Sequence, residues 1–442
     1  MSIELITLLL FISMFALLAS GMPVAFSLGA VAVVFCIAFW GFDYLSVLTA
    51  SVMTTLQNTN LIAAPLFILM GWILNQSGIA DDLFETMYVW MGNVRGGLAI
   101  GTVFAGAMFG AVCGDLIAGI FSITAIALPP LLKRGYDKRL AVGCIMGSAL
   151  LSFLIPPSIM IIIFASVTGT SVGRLYLACF APGFLLAALY MAYIGIRCYL
   201  QPDMGPAAPP ETRANWKVRF IKLRGVAMPS ILLLSMLVGI YSGAVTPMEA
   251  SAVGAAGAFV CAAIKRRLSW KGVWQASSLT LRFTCMLGWM LLAIGAFTAV
   301  YSGLGGADLA RRVAGEVPGG ALAVVIGMQA IVFMLGMFVD VLPIILIFGP
   351  IFMTVVQSLG FDPTVFGVLF MINVQAAEMS PPYGFVLFYT KAVIAGLPEG
   401  YDISTGQIWR AAFPFVVMQL ACLALILIFP RVATFLPALL IG

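Results

Sequence analysis

Three acidic residues lie where a carboxylate is costly. Asp115 is the only charge between Arg95 and Lys133, and Asp340 lies in a similarly apolar stretch. Glu378 precedes a proline pair by three residues. A carboxylate at the centre of a membrane-spanning helix costs about 2.5–3.5 kcal/mol. Each acid therefore needs a cation, a proton or water, because no basic residue in these segments is placed to pair with it.

Two proline pairs interrupt apolar stretches. Pro156-Pro157 lies near the middle of the 34 uncharged residues between Arg139 and Arg174. As one helix that run would be about 51 Å long, well beyond the roughly 30 Å hydrocarbon core. Adjacent prolines remove two backbone donors, and the carbonyl groups left free must face protein or a watery cavity. Transporters bind substrates and coupling ions at such interrupted helices; a proline-kinked helix without a ligand is the alternative.

The chain also repeats itself. Pro381-Pro382 follows the first proline pair after 225 residues, and the same offset carries Asp115 onto Asp340. It also carries Gly135-Tyr136-Asp137 onto Gly360-Phe361-Asp362. Several landmarks in one register indicate a duplicated half.

The composition is that of a membrane protein, with 62% hydrophobic and 9% charged residues among 442. The chain has no histidine, and its eight cysteines are scattered without metal-ligand spacing. Disulfide frameworks and zinc sites are therefore excluded. The net charge of +5 reflects basic loops, because no basic run is interleaved with stacking aromatics. We expect no nucleic-acid partner and no cofactor.

We predict an all-α polytopic membrane protein with an inverted repeat of two five-span halves, each with a re-entrant hairpin and a Pro-Pro-broken helix. The first half, residues 1–200, comprises scaffold spans in 1–76 with a bend near Pro65, an interfacial arm at 77–95, a hairpin at 96–132, a broken helix at 137–171 and a span at 175–197. A Pro-rich, basic cytoplasmic linker follows at 201–224. The second half, 225–442, comprises scaffold spans in 226–301, an arm at 305–316, a hairpin at 318–358, a broken helix at 363–395 and a last span at 408–430. Two complete spans with Asp115 in an exposed loop are the alternative to the first hairpin.

The number of crossings sets the relative orientation of the halves. Five crossings and one hairpin per half require that the halves enter the membrane from opposite sides. Most basic residues fall on one side, which the positive-inside rule makes cytoplasmic. Those clearly on the other side are Arg174, Arg311, Arg312 and Arg431. Both termini are therefore expected in the periplasm.

The hairpin tips and the breaks should converge near the bilayer midplane, where half-helix ends and free carbonyl groups bind ions. Sodium suits oxygen cages of this kind. The predicted sodium ligands are Gly110, Gly114, Asp115, Ser148 and Ser152 in one half and Gly336, Asp340, Asn373 and Ser380 in the other.

Structural explanations compete with these assignments. Asp115 and Asp340 could simply cap half-helices, and Glu378 could be a protonated or carbonyl-bonded structural carboxyl. Glu249 follows Thr246-Pro247 and is expected to be a structural acid in the first turn of its helix.

Five long motifs carry a family resemblance: LPPLLKRGYDKRLA, LIPPSIMIIIFASVTGTSVGRLYLACFAPG, AVTPMEASA, MFVDVLPIILIFGPI and GFDPTVFGVLFMINVQAAEMSPPYGFVLFYTK. Together they resemble the large membrane subunit of tripartite ATP-independent periplasmic (TRAP) transporters, the DctM-like family. The resemblance implies a sodium-coupled elevator in the bacterial inner membrane. It also implies a small four-helix membrane subunit and a periplasmic binding protein that delivers an organic acid. The chain departs from the family at Asp115 and Glu378.

These observations predict a secondary active importer with Na⁺ as its coupling ion. The substrate is expected between the two breaks, at Pro157, Ser158, Asn373, Glu378, Pro382 and Tyr383. A proton-coupled carrier or antiporter using Asp115, Asp340 or Glu378 is the alternative. A membrane-embedded enzyme is disfavoured, because the chain has no paired-acid metal motif and no serine–base constellation.

Overall fold

The computed structural model of the protein describes residues 1–114, 116–207 and 215–440. These residues form helices, turns and loops without a strand, which confirms the predicted all-α class. Asp115 lies outside the described residues, as does the segment 208–214 of the predicted linker.

After their first helices, both halves continue in the same order: a short arm helix, a helix pair, an interrupted helix and a long helix. The first half contains α1 (Ile3–Ala19), α2 (Val24–Trp40), α3 (Leu45–Leu56), α4 (Ala63–Gln76), α5 (Ile79–Met91), α6 (Gly97–Cys113), α7 (Leu116–Lys133), α8 (Lys138–Leu150), α9 (Ile159–Thr168) and α10 (Val172–Leu200). The second half contains α11 (Trp216–Tyr241), α12 (Pro247–Ile264), α13 (Trp270–Gly303), α14 (Gly306–Glu316), α15 (Gly320–Gly336), α16 (Val341–Ser358), α17 (Pro363–Glu378), α18 (Phe385–Gly396), α19 (Thr405–Ile428) and α20 (Arg431–Leu440).

Within the described residues, 7 helices are long and apolar enough to cross a membrane, or up to 9 if each of two bent helix pairs counts as one span. Many large apolar side chains of the helices remain exposed, including Phe26, Val238 and Leu281. In water such a surface would be costly, whereas lipid is a suitable solvent for it. The chain is a multi-pass membrane protein.

The repeated Gly-aromatic-Asp motif is a helix–helix turn. Gly135 and Gly360 have φ values of +77° and +67° and end α7 and α16, because this left-handed conformation closes a helix C-terminus. Asp137 then accepts hydrogen bonds from the N–H groups at the start of α8, and Asp362 does the same for α17. The motif therefore fixes where each interrupted helix begins.

Three details differ from the sequence-based expectations. The third span is interrupted at residues 57–58 and not near Pro65, because Pro65 lies in the first turn of α4, where its missing N–H costs no helical bond. Helix α11 begins at Trp216, so the basic part of the predicted linker is helical. Helix α20 was not expected, and it packs against α10 and α17. The prediction for Glu249 is confirmed, since Glu249 and Thr246 form a capping box.

The helices form two groups, which we call the wall group (α1–α4 and α11–α13) and the core group (α6–α10 and α15–α20). In the wall group α4 packs on α12, and α2 and α3 pack on α13. In the core group α6 packs on α8 and α15 on α17, and the halves interlock because α7 packs on α18 and α9 on α16. The rings of Phe164 and Phe370 meet at this junction, 5.0 Å apart.

Two short arms join the groups. Helix α5 contacts α4 and α11 of the wall group and α6 and α7 of the core group, whereas α14 contacts α1, α13 and α16. Polar contacts hold each arm to the wall group. Glu85 of α5 pairs with Lys222 at 2.5 Å, Asp82 pairs with Lys265, and Arg312 of α14 pairs with Glu4.

Gly143 should be intolerant of even one added methyl group. A Cβ at Gly143 of α8 would lie 2.6 Å from the Phe415 ring and 2.7 Å from the carbonyl oxygen of Ala411, both on α19. We expect Gly143→Ala to lower stability by about 1–3 kcal/mol, because a backbone atom cannot yield as a side chain can. Gly406→Ala on α19 is the control, because nothing lies within 4 Å of the added Cβ. Thermal unfolding of both variants in detergent measures the difference, and equal melting temperatures would contradict the packing described.

Candidate functional site

The first hairpin lies directly on the first interrupted helix. A Cβ at Gly106 would lie 2.5 Å from the Cβ of Ser148, and one at Gly110 would lie 2.9 Å from the Cβ of Ser152. Glycine at these positions lets α6 approach α8 and the turn that follows it. Gly114, with φ +62°, ends α6 against Ile159 at the start of α9. The structure thus brings together the described sodium ligands predicted for this half.

The serine hydroxyls of this half keep free lone pairs. Ser148 donates its hydrogen to the carbonyl oxygen of Ile145 at 2.9 Å, and Ser152 donates to that of Ala149 at 2.7 Å. A hydroxyl has one donor and two acceptor lone pairs. Both oxygens can therefore still bind a cation, although both side chains are fully buried.

The first break spans residues 154–158. A 3₁₀ turn, Leu151–Phe153, follows α8, and the next helix begins at Ile159. The hydroxyl of Tyr176 on α10 donates to the carbonyl oxygen of Ser158 at 3.2 Å, while Ser158 itself donates to Phe153 at 3.1 Å. The Ser158 hydroxyl therefore satisfies the Phe153 carbonyl, which Pro157 leaves without a helical donor. Tyr176 ties α10 to the start of α9, a contact that the sequence analysis did not predict.

The second hairpin meets the second interrupted helix in the same way, with different chemistry. A Cβ at Gly336 would lie 2.6 Å from the Cβ of Ala377. The side-chain nitrogen of Asn373 donates to the carbonyl oxygen of Gln329 at 2.5 Å and to its side-chain oxygen at 2.8 Å. Ser380 donates to the carbonyl oxygen of Ala376 at 2.7 Å. Asn373 occupies the register of Ser148, 225 residues on, so an amide in this half replaces a hydroxyl in the other.

Two acidic residues lie near the second tip. Asp340 is the residue before α16, and Glu378 is the last residue of α17. The Glu378 side chain is 1% exposed, and neither carboxyl oxygen has a hydrogen-bond partner among the described residues. The Asp340 carboxylate and the N–H of Val341 lie close to it. Two carboxyl groups without a nearby base form a site that a proton or another cation would neutralise.

The residues predicted to bind substrate differ in exposure. Ser158 and Asn373 are 0% and 2% exposed, and Pro157 is also buried. Pro382 is half-buried, whereas Tyr383 is 54% exposed. The Tyr383 ring lies 5.6 Å from that of Phe338 at the second hairpin tip. An aromatic pair therefore links this tip to the second break, which the sequence analysis missed.

Two buried glutamines were also missed. Gln329 positions Asn373, as described above. Gln375 is 0% exposed, and neither of its side-chain polar atoms has a partner within the part of the chain that the structure describes. The available signal was that each is an amide in a mostly apolar helix, where a polar side chain usually serves packing or function.

The comparison with known families decides what this arrangement belongs to. The model of the family described as tripartite ATP-independent periplasmic transporter, DctM component, matches residues 11–432. The chain belongs to this family. It is therefore a component of a TRAP transporter and not an enzyme.

Individual relatives of this TRAP permease match over most of their length. The ectoine/5-hydroxyectoine TRAP transporter large permease protein UehC of Ruegeria pomeroyi is 31% identical over 436 residues, which cover 97% of each chain. The C4-dicarboxylate TRAP transporter large permease protein DctM of Pseudomonas aeruginosa is 31% identical over 400 residues, covering 89% of this chain and 90% of that protein. Among solved structures, the YdaH transporter of Alcanivorax borkumensis shares the fold, with a TM-score of 0.68, 13% identity and coverage of 96% and 97%.

A double substitution tests whether Asn373 and Gln329 stabilise the protein as a hydrogen-bonded pair. Asn373→Leu should lower stability by about 1–3 kcal/mol, because it leaves the buried Gln329 amide unpaired. Adding Gln329→Leu should recover most of that loss, since replacing both partners by apolar groups is nearly neutral. Thermal unfolding in detergent measures both effects. A double variant as unstable as the single one would show that the two side chains do not act as a pair.

Proposed function

We propose that this TRAP permease is the membrane component of a sodium-coupled importer that takes up a small organic acid. The observation that carries the proposal is the packing of two hairpin tips onto two interrupted helices, with buried oxygen atoms left free at both junctions. Sodium prefers such oxygen ligands, and interrupted helices supply them from side chains and backbone carbonyl groups. A periplasmic binding protein would deliver the substrate, and a small four-helix membrane subunit would complete the transporter.

The proposed sodium sites follow the two junctions. One comprises Gly110, Gly114, Asp115, Ser148 and Ser152, and the other comprises Gly336, Asp340, Asn373 and Ser380. Sodium bound there would tie each hairpin tip to its break. Because each tip also covers free backbone groups, ion binding and closure of the site would be linked.

The substrate would bind between the two breaks. Pro157 and Ser158 would contribute from one side, and Asn373, Glu378, Pro382 and Tyr383 from the other. Relatives named as ectoine and C4-dicarboxylate permeases show that family members are assigned different small organic acids. A zwitterion would suit this site better than a dianion, because Glu378 and Asp340 would repel a second carboxylate.

The proposed motion is an elevator movement of the core group against the wall group. Inverted halves would place one hairpin on each side of the inner membrane, with both termini in the periplasm. The arms α5 and α14 contact both groups, so they would flex as the core group slides. Their ion pairs lie on the wall side, which would keep the arms anchored there.

Sodium dependence of transport tests the main proposal. Proteoliposomes containing this permease with its small subunit, and supplied with its binding protein, should accumulate radiolabelled ectoine or succinate only under an inward sodium gradient. Choline chloride replaces sodium chloride as the control. Equal uptake without sodium and without a proton gradient would exclude secondary transport of this kind.

Direct binding of sodium can be measured without knowing the substrate. Sodium chloride should raise the melting temperature of the purified chain more than potassium chloride does, because a ligand of the native state stabilises it. At 100 times its dissociation constant, sodium would add about 2.7 kcal/mol. Ser152→Ala should reduce this sodium-specific shift, while Ser235→Ala, at an exposed helix position, should retain it. An unchanged shift in Ser152→Ala would remove that residue from the site.

Proton coupling is the second candidate, and the buried, unpaired Glu378 is the observation that favours it. If Glu378 carries the transported proton, Glu378→Gln should abolish uptake driven by a pH gradient and leave sodium dependence in place. Glu249→Gln is the control, because that acid only caps α12 at an exposed position. Retention of pH-driven uptake in Glu378→Gln would exclude this role.

A further inference from the structure

A partly polar cleft lies on the wall group, far along the chain from the hairpin tips. It has a volume of about 420 Å³ and opens between α4 and α13. The lining side chains combine tryptophan rings, amides and one cation, and they are Trp72, Gln76, Trp274, Gln275, Ser278, Leu279 and Arg282. None of these residues belongs to the sites proposed above.

Arg282 lies at the depth where lipid phosphates are found. It is the last charge before 25 uncharged residues, 283–307. The part of α13 from 283 to 301 rises about 28 Å, close to the roughly 30 Å hydrocarbon thickness. Arg282 therefore lies at one boundary of the hydrocarbon core. The preceding turns of α13 carry Trp270 and Trp274, which are 82% and 66% exposed, as expected for side chains at the headgroup level.

The guanidinium of Arg282 has no protein partner within the described residues. It is exposed, and neither a hydrogen bond nor an ion pair joins it to any of them. Of the neighbouring cations, Lys265 pairs with Asp82, and a Cβ at Gly78 would lie 1.8 Å from the Nη1 of Arg267. A long basic side chain near the boundary of the hydrocarbon extends toward the interface. There the Arg282 guanidinium can contact a lipid phosphate.

We propose that this cleft binds the phosphate group of an anionic phospholipid. Arginine matches phosphate oxygens with two parallel N–H donors. Ser278 lies one helical turn before Arg282, and Gln275, Trp274 and Gln76 line the cleft further toward the water side. The phosphate would lie between Arg282 and Ser278, and the rest of the headgroup would extend toward Gln275 and Trp274. A net negative headgroup is favoured because Arg266 and Lys271 lie in the adjoining α12–α13 segment, and basic clefts between membrane helices select such lipids.

The site would give the wall group a fixed lipid neighbour. The cleft lies between α4 and α13. Helix α4 packs on α12, and α13 packs on α2 and α3. A headgroup bound to both helices would link these two packing units. The proposal does not depend on sodium coupling or on the substrate, since it concerns the wall group alone.

Lipid binding to the purified full chain in detergent tests the proposal. Native mass spectrometry would count adducts of dioleoylphosphatidylglycerol and of dioleoylphosphatidylcholine, and thermal unfolding would report the stabilisation by each. We expect the phosphatidylglycerol to bind more tightly. Arg282→Gln should weaken it about fivefold, the factor that corresponds to about 1 kcal/mol for one basic residue near an anionic lipid surface. Arg282→Lys should bind with intermediate affinity, because it keeps the charge and loses the two parallel N–H donors.

Three controls make the result decisive. Arg431→Gln, which removes an exposed cation elsewhere, should leave lipid binding unchanged, and size-exclusion profiles must match for all variants. Equal phosphatidylglycerol binding by wild type and Arg282→Gln would overturn the proposal. Stabilisation by inorganic phosphate alone, dependent on Arg282, would overturn it in favour of a soluble anion. If Arg282→Gln releases the small subunit from the assembled transporter without any change in lipid binding, Arg282 contacts that subunit and the lipid proposal is overturned.

Discussion

Backbone polarity inside the membrane is the constraint on which this structure depends. Each proline pair releases carbonyl groups that lipid cannot satisfy, so protein must cover them. The two hairpins provide this cover, because α6 packs on α8 and its following turn while α15 packs on α17. Without the helix pairs packed on them, the breaks would be open to lipid or water.

Close approach between hairpin and break is achieved by glycine in both halves, but the facing side chains differ. Gly110 meets Ser152 in one half, and Gly336 meets Ala377 in the other. The first junction therefore offers hydroxyl oxygens, whereas the second offers the Asn373 amide and the carboxyl groups of Asp340 and Glu378. The same close approach thus occurs in both halves, with different side chains beside it.

Much of the fold follows from the sequence because its signals are local. Proline pairs stop helices, and the Gly-aromatic-Asp turns end one helix and cap the next, so both interruptions and their starting points could be predicted. The membrane class follows from composition. Tertiary facts were harder to predict. Nothing in the spacing places Tyr176 on the carbonyl of Ser158 or Gln329 on Asn373, because these contacts join different helices and depend on how those helices pack. Helix α20 was missed since its ten residues are too short to span a membrane.

The two acids near the second tip have an electrical consequence. In the proposed elevator, a core group with both carboxylates ionised and no ion bound would carry negative charge through the membrane potential. Each elementary charge that crosses 100 mV is worth about 2.3 kcal/mol. An inside-negative membrane would therefore hold the empty carrier toward the periplasm, where incoming solute is captured. Bound cations would cancel the negative charge and with it this bias, and the loaded carrier could then move inward. The membrane potential would therefore act on the empty carrier and not on the loaded one.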